Sequence, residues 1–219
     1  MNIIFIAPPA AGKGTQAKLI SEEFNIPHIS TGDLLREEIA LNTNLGIDIK
    51  KTIDQGNFVA DEIIGELLIS RLTKPDCDYG FILDGYPRNI NQAQKLEDIL
   101  DKLDKDITKV LFLDIDLNLA LTRMLGRIIC PKCGASYNIN TDNLKPKTDG
   151  LCDKCLTKLE KRNDDNEETF QKRFNIYLEK TKELLDYYDK LNLLENIKIN
   201  DTDTANDTYK KIKKVLNSD

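Results

Sequence analysis

"APPAAGKGTQ", residues 7–16, decides how the rest of the chain is read. The apolar run Ile3 to Ile6 precedes it and a helical pattern to about Phe24 follows, so "GKGT" (12–15) sits where a strand passes into a helix. In that setting the signature is that of a phosphate-binding loop. Backbone N–H groups and the helix N-terminus would hold phosphate oxygens, and Lys13 would neutralise the transferred group, with Thr15 a candidate on the metal side. The bland alternative, an ordinary strand-to-helix turn, leaves Lys13 and Thr15 unexplained. Ala7 and Ala10 stand where such loops usually carry glycine. If either must adopt positive φ, the strain is on the order of 1–2 kcal/mol, enough to loosen the loop without abolishing it.

Outward from the loop, short apolar runs alternate with longer helical patterns. "FILD" (81–84) and "KVLFLDI" (109–115) read as strands, with a helix from about Asn91 between them. A long amphipathic helix from about Glu167 to Leu191, a strand near Ile197 to Ile199 and a closing helix from about Thr204 complete the rhythm. Short, doubly apolar strands separated by helices predict a parallel sheet covered on both faces. Two segments depart from this pattern: about 30–59, helical without a strong strand, and about 126–165, which carries prolines, glycines and cysteines. Both read as insertions.

The 219 residues suffice for one main core. A net charge of −6 gives no overall attraction to nucleic acid or anionic membrane, so affinity for phosphates must come from a few placed residues. No basic segment precedes the first apolar run, and no apolar stretch approaches the roughly 20 residues of a membrane helix, so a cytosolic location is expected.

Asp84 ends an apolar strand in "GFILDGYPR" (80–88), as suits an acid that orients Mg²⁺ through its water shell. Arg88 follows at the strand's carboxyl end, where open parallel sheets bind ligands. Cys130, Cys133, Cys152 and Cys155 form two C-x-x-C pairs at the spacing of a four-cysteine zinc site. With all four tetrahedral positions filled, that zinc would be structural. Cys77 reads as a small buried hydrophobe. Only seven of the 31 basic residues are arginine, and all but Arg71, which reads as plain helix surface, lie in or beside these motifs. A planar fork suits phosphate or carboxylate, so their placement marks anion contacts. His28, the only histidine, reads as structural, and Ser30 or Thr31 as a helix cap.

"GKGTQ" (12–16), "HISTGDLLR" (28–36), "GFILDGYPRN" (80–89) with Gln92, "RMLGR" (123–127), the two cysteine pairs and "KRNDDNEETFQKR" (161–173) span most of the chain. On these pieces the sequence resembles adenylate kinase, of the long-lid bacterial type with a zinc-binding lid. The resemblance implies a P-loop NTPase-like three-layer α/β core with a five-stranded parallel sheet, formed by residues 1–29, 60–125 and 166–219. It implies an AMP-binding helical insertion at 30–59 and a zinc-ribbon-like lid at 126–165. By the same comparison Lys13, Asp84, Arg88, Arg123, Arg162 and Arg173 look catalytic. Ala10, Ala11, Gly12, Lys13, Gly14, Thr15, Arg123, Arg127, Ser136, Tyr137 and, more weakly, Asp201 look like ATP contacts. The Asp201 region lacks the family's usual glycine. Thr31, Arg36, Asn57, Phe58, Val59, Gly85, Arg88, Gln92, Arg162 and Arg173 look like AMP contacts.

The implied reaction is MgATP + AMP ⇌ 2 ADP, carried out by a monomer with no nucleic-acid or membrane partner. Its acceptor is already an anionic oxygen, so no strong general base is required, and positioning with charge neutralisation does most of the work. Two rivals remain open at this point. One is a monophosphate kinase that prefers UMP or CMP, or that uses GTP as donor. The other is a zinc-ribbon module that grips nucleic acid or a partner and uses ATP for regulation.

Overall fold

The computed structural model describes residues 1–54, 59–161 and 165–217. Its centre is a parallel sheet of five strands: β1 (Asn2–Ile6), β2 (His28–Ser30), β3 (Phe81–Asp84), β4 (Lys109–Ile115) and β7 (Leu194–Ile199), in the order β2-β3-β1-β4-β7. Four of these match the apolar runs read from the sequence. The fifth, β2, is only three residues long and falls at the edge of the segment expected to be helical without a strong strand. It pairs in parallel with β3, Ile29 opposite Leu83.

Side chains alternate across β1, and the alternation builds the two cores. Ile3 and Phe5 point into one cluster with Ala17 and Ile20 of α1 (Lys13–Phe24), Ala120 and Met124 of α6 (Leu117–Leu125), and Ile212 of α8 (Ala205–Leu216). Ile4 and Ile6 enter the other, against Leu68 and Leu72 of α4 (Asp61–Leu72) and Ala93 and Leu96 of α5 (Ile90–Lys102). The 24-residue α7 (Glu167–Lys190) serves both: Phe170 and Phe174 join the first cluster, Leu184 and Tyr188 the second. The result is the three-layer α/β core that the alternation of elements predicts.

The two departures from the rhythm are distinct in structure. α2 (Thr31–Ala40) and α3 (Asn44–Asp54) pack on each other between β2 and α4. The second departure holds the antiparallel pair β5 (Arg127–Ile129) and β6 (Ser136–Asn138), with a small core of Ile128, Cys130, Cys152 and Leu159. Among the described residues no helix is long and apolar enough to cross a membrane. Arg71 is not plain surface. Its guanidinium grips Asp76 through both carboxylate oxygens at 2.8 and 2.7 Å and lies 3.2 Å from the Cys77 sulfur, fastening α4 to the segment that enters β3. Cys77 is fully buried and so partnered by polar atoms as well as apolar ones.

Candidate active site

All five sheet strands run the same way, so the loops after β1, β2 and β3 gather at one edge. β3 leads to β4 across the central β1, which places the β1–α1 loop at the reversal of strand order where such sheets bind ligands. α1 opens there on Gly12 at φ 92°, leaving its first-turn N–H groups without intrahelical acceptors and its positive dipole end on the loop. Ala10 sits in the left-handed region at φ 62°, and the Ala11 N–H donates to the Pro8 carbonyl at 3.4 Å. Ala7 is not among the described residues at positive φ, so strain falls on one of the two alanines only.

Lys13 Nζ donates to the carbonyls of Ala7 at 3.1 Å and Pro8 at 3.5 Å. Burial pulls its pKa down and the Asp84 charge opposes that, while Arg88 and Arg127 push it down further. Asp84 lies at the meeting point of three elements. Its Oδ2 is 3.4 Å from His28 Nε2 on β2, and a Cβ added at Gly14 on α1 would come within 3.9 Å of the same oxygen. Burial alone would raise the Asp84 carboxyl, but the His28 hydrogen bond and the Lys13, His28 and Arg88 charges outweigh it and hold the group below the usual carboxylate range. Arg88 Nε donates to the Gly85 carbonyl at 2.7 Å; burial lowers its pKa, Asp84 raises it, and Arg173 on α7 lowers it again. Lys13 and Arg88 thus share the Asp84 charge, while Arg127 acts on Lys13 and Arg173 on Arg88.

Gly85, directly after Asp84, ties Thr31 and Arg88 together through its carbonyl. Its φ of 87° disfavours any side chain, and an added Cβ would stand 2.8 Å from Thr31 Oγ1 and 3.2 Å from Arg88 Nη2. Thr31 is buried and donates its hydroxyl to the Gly85 carbonyl at 3.2 Å. The expected side-chain cap of α2 is therefore absent: Ser30 is the N-cap residue and makes no side-chain capping bond, while Thr31 is turned to Gly85. Gln92 is buried, accepting from the Arg88 N–H at 2.7 Å and donating to Asp61 at 2.6 Å. Arg36 pairs with Asp33 at the exposed surface of α2, and Val59 is buried. Asn57, Phe58 and Arg162 lie outside the described residues.

Arg123 is buried on α6. Its Nη2 donates to the Asp203 carbonyl at 3.5 Å, its Nε has no hydrogen-bond partner among the described residues, and burial lowers its pKa against the Asp203 charge. Gln16, one residue past Thr15, holds the same loop from the other side by donating to the Ala205 carbonyl at 3.0 Å. Sequence reading gave Gln16 no role of its own, although a polar residue beside Ala17 and one turn before Ile20 falls on the buried face of α1. Asp201 lines a hollow of about 540 Å³ with Asp114, Asp116 and Lys198 at the carboxyl ends of β4 and β7. Arg127 forms a two-pronged pair with Asp165, whose side chain is 1% exposed. Asp165 was also without an assigned role; two arginines flanking a carboxylate pair in residues 162–173 were the available signal.

The four cysteine sulfurs lie within 4.8 Å of one another. Cys130 and Cys155 are 3.4 Å apart, Cys133 and Cys152 3.5 Å, and Cys133 and Cys155 3.8 Å. A tetrahedron of 2.3 Å zinc–sulfur bonds has edges of about 3.8 Å, whereas a disulfide needs about 2.05 Å, so the set fits a tetrahedral metal and no disulfide. Tyr137 braces the cluster. Its hydroxyl accepts from the Asp153 N–H at 2.8 Å and lies 3.5 Å from the Cys152 sulfur; the Tyr137 hydroxyl, against burial and with help from the backbone N–H groups of Lys154 and Cys155, brings the Cys152 thiol down to about 6. Ser136, beside it on β6, is exposed.

Residues 5–193 match the family described as adenylate kinase. The chain is 44% identical over 216 residues to the adenylate kinase of Clostridium tetani, covering 99% of this chain and 98% of that one. It is 44% identical over 219 residues to the adenylate kinase of Clostridium botulinum strain Hall, with both chains covered completely. With the adenylate kinase of Thermotoga petrophila the identity is 45% over 196 residues, 89% of this chain and 88% of the other. Sheet order, loop, cation cluster and full-length similarity agree, and the chain belongs to the adenylate kinase family.

Proposed function

We propose that the protein transfers the γ-phosphoryl group of MgATP to AMP, reversibly, giving two ADP. The observation that carries this reading is the β1–α1 loop opening α1 on Gly12, with buried Lys13 bonded to the loop carbonyls and Arg88 close enough to an ionised Asp84 for their charges to act on one another. Such an array favours a site that receives several phosphate charges, because added negative charge relieves its own repulsion. The backbone from Ala10 to Thr15 cradles the donor phosphates and Lys13 follows the transferred group. Arg123, Arg127 and the module at 126–165, with Ser136 and Tyr137, close over ATP; Asp201 borders its base. Thr31, Arg36, Gly85, Arg88, Gln92 and Val59, with Asn57 and Phe58, hold AMP against the 30–59 segment, and Arg162 and Arg173 bridge the two nucleotides. Residues 1–29, 60–125 and 166–219 form the frame between these covers.

Bound Mg²⁺ supplies charge neutralisation between the phosphates. Asp84 suits its water shell, being held ionised and able only to accept hydrogen bonds. The four cysteines hold a structural zinc. Closing the covers excludes water that would otherwise hydrolyse ATP. We place the enzyme in the cytoplasm as a monomer, on its reducing-compartment cysteine pattern and its family.

Initial rates of ADP formation from MgATP with AMP, UMP or CMP test the reading. AMP should be preferred clearly, with Lys13→Ala reducing turnover at least a hundredfold. A preference for UMP or CMP would refute the acceptor.

A further inference from the structure

Lys18 lies on α1 one turn past Thr15, half-buried, on the helix that opens the phosphate loop. Its Nζ donates to the backbone carbonyl of Cys133 at 3.4 Å, across 115 residues of sequence. Cys133 belongs to the four-sulfur cluster. A divalent ion among four thiolates leaves about two net negative charges. The Lys18 bridge between α1 and the cysteine turn brings a cation to the backbone of one of the residues that carry them. The opposite end of the same module is fastened differently, by Arg127 of β5 and Asp165. Arg127 holds the root of the module and Lys18 meets its metal-bearing turn.

We propose that Lys18 is a positioning residue that docks the cysteine module on the phosphate-loop helix, pairing its ammonium with the anionic metal–thiolate centre so that closure over ATP depends on the metal's charge. The inference rests on the zinc reading above. Exposed ion pairs are worth little when both partners are mobile, but here the anion is fixed in the module and only one side chain must be ordered. The contact joins α1 to the module, so its loss should weaken ATP binding and expose the metal while sparing the transfer step.

The test begins with metal content of the wild-type protein, expected at about one zinc per chain. A metal-free wild type with full activity would overturn both the zinc reading and this docking role. With zinc present, Lys18→Glu should raise the KM for ATP and the rate of zinc loss to a chelating indicator, each roughly three- to tenfold, with kcat changed less than twofold. Lys18→Met should fall between, and Lys18→Arg should restore both values. Zinc-loaded Lys18→Glu that matches wild type in KM and zinc release overturns the docking role alone. So does a KM change without faster metal release, or an arginine variant as impaired as the glutamate one. A melting midpoint for Lys18→Met close to wild type separates docking from global destabilisation.

Discussion

Ala10 offers a sign-sensitive test of the phosphate loop. At φ 62° it pays the left-handed penalty of a residue with a Cβ, about 1–2 kcal/mol. Glycine removes that penalty but adds unfolded-chain entropy worth about 0.4–1 kcal/mol. Ala10→Gly should therefore stabilise the protein, by about 0.8 kcal/mol at the middle of a range from about 0 to 1.6. For a chain of this size the middle value raises the melting midpoint by roughly 2–3 °C. Ala7 is not at positive φ, so Ala7→Gly gains nothing from relief and should destabilise by about 0.4–1 kcal/mol. Thermal melts of both variants at one pH, with and without ATP, read the contrast directly. The loop must keep the same backbone to present its amides with phosphate bound, so catalytic efficiency of Ala10→Gly should move by less than about tenfold. Shifts of the same sign in the two variants would refute the strain argument, and a hundredfold gain in efficiency for Ala10→Gly would show that the natural loop is impaired.

Asp84 has a folded pKa below its unfolded value, so its ionisation stabilises the fold above about pH 4 and that contribution is lost as pH falls through the folded value. Asp84→Asn should flatten the acid limb: the melting difference from wild type should be largest near pH 6 and shrink towards pH 3, and a difference independent of pH would contradict the assignment. Gly85→Ala places a Cβ 2.8 Å from Thr31 Oγ1 at φ 87°, which should cost about 1–3 kcal/mol and raise the KM for AMP more than that for ATP, as steady-state kinetics would show. Cys130→Ser should lower the bound metal well below one per chain and the melting midpoint by several degrees, since metal binding supplies folding energy to so small a module; unchanged metal content and melting would overturn the structural-zinc claim.

The elements that carried a strong period were readable in the sequence. "FILD" and "KVLFLDI" are apolar on both faces and became adjacent to the central strand, and the 24-residue helix from Glu167 shows its amphipathic stripe plainly. β2 was not, because three residues hold no period and its strand character comes from pairing with β3. The cysteine cluster was legible because metal geometry imposes its own spacing. The partners of the site were not: His28 on Asp84, Gln16 on the Ala205 carbonyl and Asp165 on Arg127 bring together residues 38 to 189 positions apart. Arg71 was misread because its carboxylate partner lies beyond the helix end, where periodicity no longer says which way a side chain turns.

The place of β1 in the sheet bears on how the protein is made. Its residues are the first of the sheet to leave the ribosome, yet both edges of the strand pair with segments translated much later, Phe81–Asp84 on one side and Lys109–Phe112 on the other. At roughly 5–20 residues per second, "NIIFI" waits on the order of 5–20 s with both edges open. During that interval the nascent chain presents an apolar strand to any chaperone or to a neighbouring nascent chain, so the strand that leads into the β1–α1 loop stays open to misassembly until its two partners arrive.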